Sequence, residues 1–131
     1  MADPAGSGVD EIRTGMATSG VGYATGAGGT VTQSTSKSTG VTLNTTCGQI
    51  TMNGAALLPQ TAVAFTVTNS TVTTTDTIVV CIDSAATSGA YLVSVGAVGA
   101  GSFEITLYNV TLGSLSEAVV LNYAVVKAVT S

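Results

Sequence analysis

The run AVVLNYAVV at residues 118–126 limits what this chain can fold into more than any other stretch. Val119, Leu121, Tyr123 and Val125 fall on one side of a two-residue alternation. Ala118, Val120, Ala124 and Val126, with Asn122, fall on the other. That period belongs to a β-strand. A strand apolar on both faces needs cover on both, from a second layer of its own fold or from another chain. Just upstream, Phe103, Ile105 and Leu107 alternate with Glu104 and Thr106, the pattern of a half-buried strand. Residues 101–127 therefore read as two strands joined by a connection rich in Gly and Ser.

The same alternation continues through most of the chain. Val63, Phe65 and Val67 share a face, as do Ile78, Val80 and Ile82, and again Tyr91, Val93 and Val95. Strands are expected at 30–33, 40–43, 49–52, 62–68, 77–82, 90–97, 102–109 and 117–127. Between them lie Gly, Pro, Asn, Asp and Ser clusters that mark turns, and residues 55–58 have room for a single helical turn. Abundant β-branched Thr and Val favour strands. With 131 residues the chain is sized for one core-forming domain. About eight short strands and no long helical segment for parallel crossovers predict an all-β fold. The expected form is an antiparallel β-sandwich of the jelly-roll type over 30–131.

Charge is scarce. Only 8% of residues are charged, against roughly 25% in ordinary soluble domains. The net charge is −4, and the basic residues are Arg13, Lys37 and Lys127, far apart in sequence. Nucleic acid is excluded as an expected partner, because binding it needs clustered Lys and Arg. A chain with so few charges and positive mean hydropathy tends to associate, so an oligomer or a larger assembly is expected. No apolar run approaches the ~18 residues of a membrane helix. Eight short strands without aromatic girdles do not suggest a membrane barrel, so no membrane partner is expected. The acidic, Gly-rich start lacks the pattern of a secretory signal.

Residues 1–29 differ from the rest. They are dense in Gly and Ala, carry Asp3, Asp10, Glu11 and Arg13, and sustain no helical or strand period. Alone they bury too little apolar surface to offset the entropy of ordering. A plain tail is one reading. The other, adopted here, is an extended arm that orders against a partner through Ile12, Arg13, Met16, Val21 and Tyr23.

Catalysis has little to work with. There is no His, the usual general base and a common metal ligand. Asp76, Asp83, Glu104 and Glu117 are the carboxylates from which a glycosidase-type pair could be drawn, but they fall at strand ends or on an outward face and read as solvated charges. Cys47 and Cys81 lack the CxxC spacing of metal or redox sites. Cys81, between Val80 and Ile82, reads as a buried thiol. Cys47 precedes a glycine at a turn, and whether the two pair is left open. The glycines at 26–29 do not lead from a strand into a helix, so no phosphate cradle is implied. Three Asn-x-Ser/Thr triplets, at Asn44, Asn69 and Asn109, are expected by chance in so Thr-rich a chain. No catalytic residue, cofactor or metal site is expected, and the chain is not read as an enzyme.

Two segments, GAGGTVTQSTSKSTGVTLN (26–44) and CGQITMN (47–53), resemble a recurring part of tailed-phage and prophage virion proteins. FTVTNS (65–70), GSFEITLYN (101–109) and LSEAVVLNYAVVK (115–127) belong to the same pattern. The family comprises small capsid decoration (cement or head-fibre) proteins and modules of phage fibre proteins. The resemblance spans roughly residues 20–128 and leaves out the acidic DEIR segment. It implies a structural protein on the capsid exterior, assembled in the host cytoplasm and bound to the major capsid protein. A homotrimer would bury the second face of 118–126, with Val120, Asn122, Ala124 and Val126 at the interface. The alternative within the same family is a tail-fibre or spike tip that holds a host glycan or receptor.

Overall fold

The computed structural model describes residues 20–131. Its strands are β1 (Thr30–Thr32), β2 (Val41–Thr42), β3 (Cys47–Thr51), β4 (Thr61–Thr68), β5 (Thr77–Ser84), β6 (Tyr91–Gly99), β7 (Ser102–Asn109) and β8 (Val120–Val126). They form two four-stranded sheets, ordered β1-β3-β8-β5 and β2-β4-β7-β6, called here the β8 sheet and the β7 sheet. Both are mixed rather than wholly antiparallel. β1 runs parallel to β3, and β2 parallel to β4, with extended chain and turns rather than helices making the crossovers.

The sheets pack face to face on the residues that alternation predicts. From the β8 sheet come Ile50, Ile78, Leu121, Tyr123 and Val125; from the β7 sheet come Phe65, Val67, Phe103, Ile105 and Leu107. Leu121, Val125, Ile105 and Leu107 are completely buried, each worth about 1.5–3 kcal/mol relative to exposure. The rings of Phe103 and Tyr123 meet across the layers at 5.5 Å and 57°, the tilted geometry that aromatic quadrupoles favour.

β8 owes its central place to its double apolar character. It is antiparallel to β3 on one side (Ile50 opposite Leu121) and to β5 on the other (Ile82 opposite Leu121). Two glycines are required by geometry. A Cβ on Gly48 would sit 2.8 Å from the Gly29 carbonyl and 2.8 Å from Leu43. Gly101, at φ 84°, completes the two-residue turn between β6 and β7.

Residues 55–58 are not a helical turn. The chain there is extended, and Leu57 forms a bridge with Leu115, the two exchanging backbone hydrogen bonds of 2.7 and 3.0 Å. Leu57 is buried, so a tertiary contact overrides the local helical preference.

Both ends of the sandwich are closed by side chains bonded to backbone. At the end where β7 stops, the Asn109 amide donates to the carbonyls of Leu57, Leu58 and Gly113 at 2.8–3.2 Å. Its oxygen accepts from the Thr111 N–H and hydroxyl. Gln33 bonds Lys37 O, Thr39 O and Asn53 N. Lys37 sends its ammonium inward to the carbonyls of Asn53 and Glu117. At the opposite end, Asn69 repeats the corner. Its oxygen takes the Thr71 N–H and hydroxyl, and its amide donates to Thr45 O and the Tyr123 hydroxyl. Asn69 and Asn109 are fully buried. Two of the three Asn-x-Thr/Ser triplets that composition leads one to dismiss are thus structural corners, each an Asx turn built by Asn and the Thr two residues on.

Candidate functional site

Parity along β8 sends Val120, Asn122, Ala124 and Val126 to the outer surface, opposite the core set. The first three are half-buried and Val126 is 48% exposed. Register places Cys47, Gln49 and Thr51 of β3 beside them on one side, and Thr77, Val79 and Cys81 of β5 on the other. The result is a face of short, mostly apolar and hydroxyl side chains. β5 slips register between Ile82 and Ser84, and at that irregularity Asp83 lies exposed. Its carboxylate accepts from the Asn122 amide at 3.1 Å and the Gln49 amide at 3.3 Å, a polar row across three strands. The row does not emerge from sequence reading, because Gln49 and Asn122 lie 34 and 39 residues from Asp83.

One end of this face is already covered by the chain itself. Val21, Gly22 and Tyr23 lie beside Ala124, Val126 and Lys127, and together they line an open apolar groove of about 400 Å³. The Tyr23 hydroxyl donates to the Val125 carbonyl, just past Ala124, where β3 begins and its ladder with β8 stops. Two sets of residues predicted separately, the arm anchors Val21 and Tyr23 and the face residues Ala124 and Val126, are therefore brought together. Val21 remains 70% exposed. The other arm anchors, Ile12, Arg13 and Met16, lie outside the described residues.

Cys81 is exposed, not buried. The alternation holds the explanation: with Ile78 and Val80 turned inward, Cys81 must face out. Cys47 and Cys81 are both free and flank β8 from opposite sides. Two strand spacings, about 10 Å, exceed the ~7 Å that a disulfide tolerates.

The carboxylates occupy separate places. Glu104 lies on the outer side of the β7 sheet, against Gly96. Asp76 is not a solvated charge but a buried one. It accepts from Lys127 at 2.7 Å and from the Thr73 N–H and hydroxyl at 2.9 Å. The Lys127 bond, then the Thr73 N–H, hold its carboxyl below the usual range. Glu117 is likewise pinned, at the other end of the sandwich, by the Thr87 N–H and hydroxyl and by the Tyr91 hydroxyl at 2.8 Å. The Thr87 N–H and then the Tyr91 bond lower its pKa, while burial and Glu117 raise that of Tyr91. Burial lowers the Lys37 pKa, with the Glu117 carboxylate opposing. Among the described residues no three His, Cys, Asp or Glu side chains group as metal ligands, and no helix is long and apolar enough to cross a membrane.

No family model matches the chain, and neither a curated protein nor a solved structure is significantly similar to it.

Proposed function

We propose that this chain is a structural protein of a phage virion, a capsid decoration or cement protein that binds the major capsid protein lattice and stabilises the head. The observation that carries the reading is the outer face of the β8 sheet. It is poor in charge and lined by Val79, Val120, Ala124 and Val126, a surface suited to burial against another chain. The segment resemblance points the same way. In this reading the sandwich is jelly-roll-like and assembles as a homotrimer through Val120, Asn122, Ala124 and Val126. Residues 1–29 form the arm that reaches capsid subunits, where an extended segment adds to exposed strand edges. The protein acts by adhesion rather than catalysis and sits on the capsid exterior.

Two experiments test this. Purified protein lacking residues 1–25 should remain folded and lose binding to capsids; undiminished binding removes the arm from the account. Leu121→Glu should unfold the chain, whereas Val120→Glu should leave it folded and dissociate the oligomer. If Val120→Glu leaves the mass unchanged, the face is not the interface.

The exposed amide–carboxylate row of Gln49, Asn122 and Asp83 supports a second reading, a fibre or spike-tip module that hydrogen-bonds a host glycan or receptor. Saturable binding on a glycan array, lost in Asp83→Ala, would favour it over the first.

A further inference from the structure

The four sheet edges are not equally protected. β1 has three residues and β2 two, too short to template another strand. β6 is long, but its register breaks between Val95 and Val98 around Gly96, the kind of bulge that turns an edge away from pairing. β5 is different. It pairs regularly with β8 from Thr77 to Ile82, holds no Pro, Lys, Arg or Glu, and has its single charge, Asp83, at the bulge. Among the described residues no strand pairs with its outer side. A long edge that is regular and uncharged from Thr77 to Ile82 is a ready template for pairing.

We propose that β5 is a self-association edge, and that its occupant is β5 of a second copy of this chain, antiparallel about a two-fold axis. Such a contact is isologous, so each residue must suit its counterpart. Keeping both cores on the same side of the joined sheet requires inward residues to oppose inward ones, which limits the registers. Centring the axis on Val80 sets Ile78 opposite Ile82 and Val79 opposite Cys81. It also places the Thr77 hydroxyl opposite the Asp83 carboxylate, a donor against an acceptor, and brings no like charges together. The register one step back, centred on Val79, sets the Thr77 hydroxyl against the Cys81 thiol. The register one step on, centred on Cys81, sets the Asp83 carboxylate against Val79. Val79 is 53% exposed and Cys81 is exposed, so both stand ready for the contact. The joined β8 sheets form one eight-stranded sheet with no β5 edge left open. This contact pairs the strand edge, with Val79 and Cys81 at the border of the β8 face assigned above to the trimer, and needs no capsid.

The test uses the full chain carrying Val120→Glu, so that the proposed trimer contact is already broken, under reducing conditions, with mass followed by sedimentation across a wide concentration range. Mass should climb towards twice the 12.8 kDa of one chain. Val79→Lys, which puts a charge on the edge without touching the core, should hold it at one chain. Val79→Cys, mildly oxidised, should give a covalent dimer whose linkage maps by mass spectrometry to position 79 of one copy and Cys81 of the other. A protein monomeric at all concentrations overturns the proposal, as does an oligomer insensitive to Val79→Lys. A dimer linked only through Cys47, or through two copies of position 79, overturns it as well. A host or capsid peptide filling the edge instead would appear as the first of these results.

Discussion

The two ends of the sandwich solve the same problem with different chemistry. Each must satisfy loop carbonyls left over where strands stop, and each uses a buried Asn and a lysine. At the β7 end, Asn109 spends its amide on three carbonyls, and Lys37 points its ammonium inward to two more. At the other end, Asn69 shares its amide between one carbonyl and the Tyr123 hydroxyl. Lys127 there stays 55% exposed and bridges to Asp76 and the Thr71 carbonyl. The first end is held by donors drawn inside. The second relies on a hydroxyl from the core and an ion pair at the rim. A cation buried against neutral carbonyls carries a desolvation cost that one at the rim avoids, so the two ends should respond differently to substitution and to pH.

The largest effect should come from Asn109→Ala. It leaves the Leu58 carbonyl and the Thr111 N–H without a partner, and takes one donor each from the Leu57 and Gly113 carbonyls, which keep another. At about 1–3 kcal/mol per unsatisfied group, that costs roughly 2–4 kcal/mol in denaturant unfolding. Asn69→Ala, which strands fewer groups, should cost less; equal losses would erase the contrast between the corners. Next comes Lys37→Met, which keeps the side chain's length but leaves the Asn53 and Glu117 carbonyls without their donor. A loss of roughly 2 kcal/mol is expected on the same scale, partly offset by removal of a buried charge. Lys127→Met at the rim removes a donor from Asp76 and from the Thr71 carbonyl. Asp76 keeps both Thr73 bonds and Lys127 stands half in water, so this change should cost less than Lys37→Met.

Titration sharpens the comparison. Asp76 and Glu117 have folded pKa values below their usual 3.8 and 4.5. Each contributes stability that is complete above those values and is lost as pH falls through the lower, folded ones. Thermal melts should therefore hold steady at mild acidity and fall below about pH 4.5, with part of the slope removed in Asp76→Asn and another part in Glu117→Gln. Lys37 has the opposite sign. Its folded pKa lies below the usual 10.5, so the unfolded chain holds the proton more tightly. The difference between wild type and Lys37→Met should move in favour of wild type as pH rises through the lowered value towards 10.5. A difference that stays flat with pH would place Lys37 in water. The smallest effect concerns the thiols: a maleimide should label Cys81 before the half-buried Cys47 in the folded protein.

Much of the strand pattern was legible because alternation is a local signal. Val63, Phe65 and Val67, or Ile78, Val80 and Ile82, need no knowledge of their partners to show which way they point. The same rule already implied an outward Cys81, but apolar neighbours on both sides drew attention to composition instead of parity. Pairing was less accessible. Nothing near β1 or β2 says that they run parallel to β3 and β4, and both crossovers lack the helix that usually announces one. The buried charges were hidden for a similar reason: Lys37 reaches a carbonyl 80 residues away and Asp76 a lysine 51 residues away. Of the candidate site, the outward set on β8 could be read directly. That Val21 and Tyr23 fold onto its end could not, since no period marks those residues.

The place of β8 also bears on how the chain comes to be folded. β3 and β5 are both made before the strand that joins them, and without β8 between them they share no hydrogen bonds. The β7 sheet has a gap of the same kind, since β7 joins β4 and β6 and is made after both. It closes earlier: β4, β6 and β7 are complete while β8 is still to be made. During synthesis the β7 sheet can therefore pair first, with its apolar side open, while the other layer waits for one late insertion. Pairings so distant in sequence close slowly, and the exposed interval invites association with neighbouring chains. A change that slows insertion of β8 should thus reduce the yield of soluble protein more than it lowers the stability of the molecules that do fold.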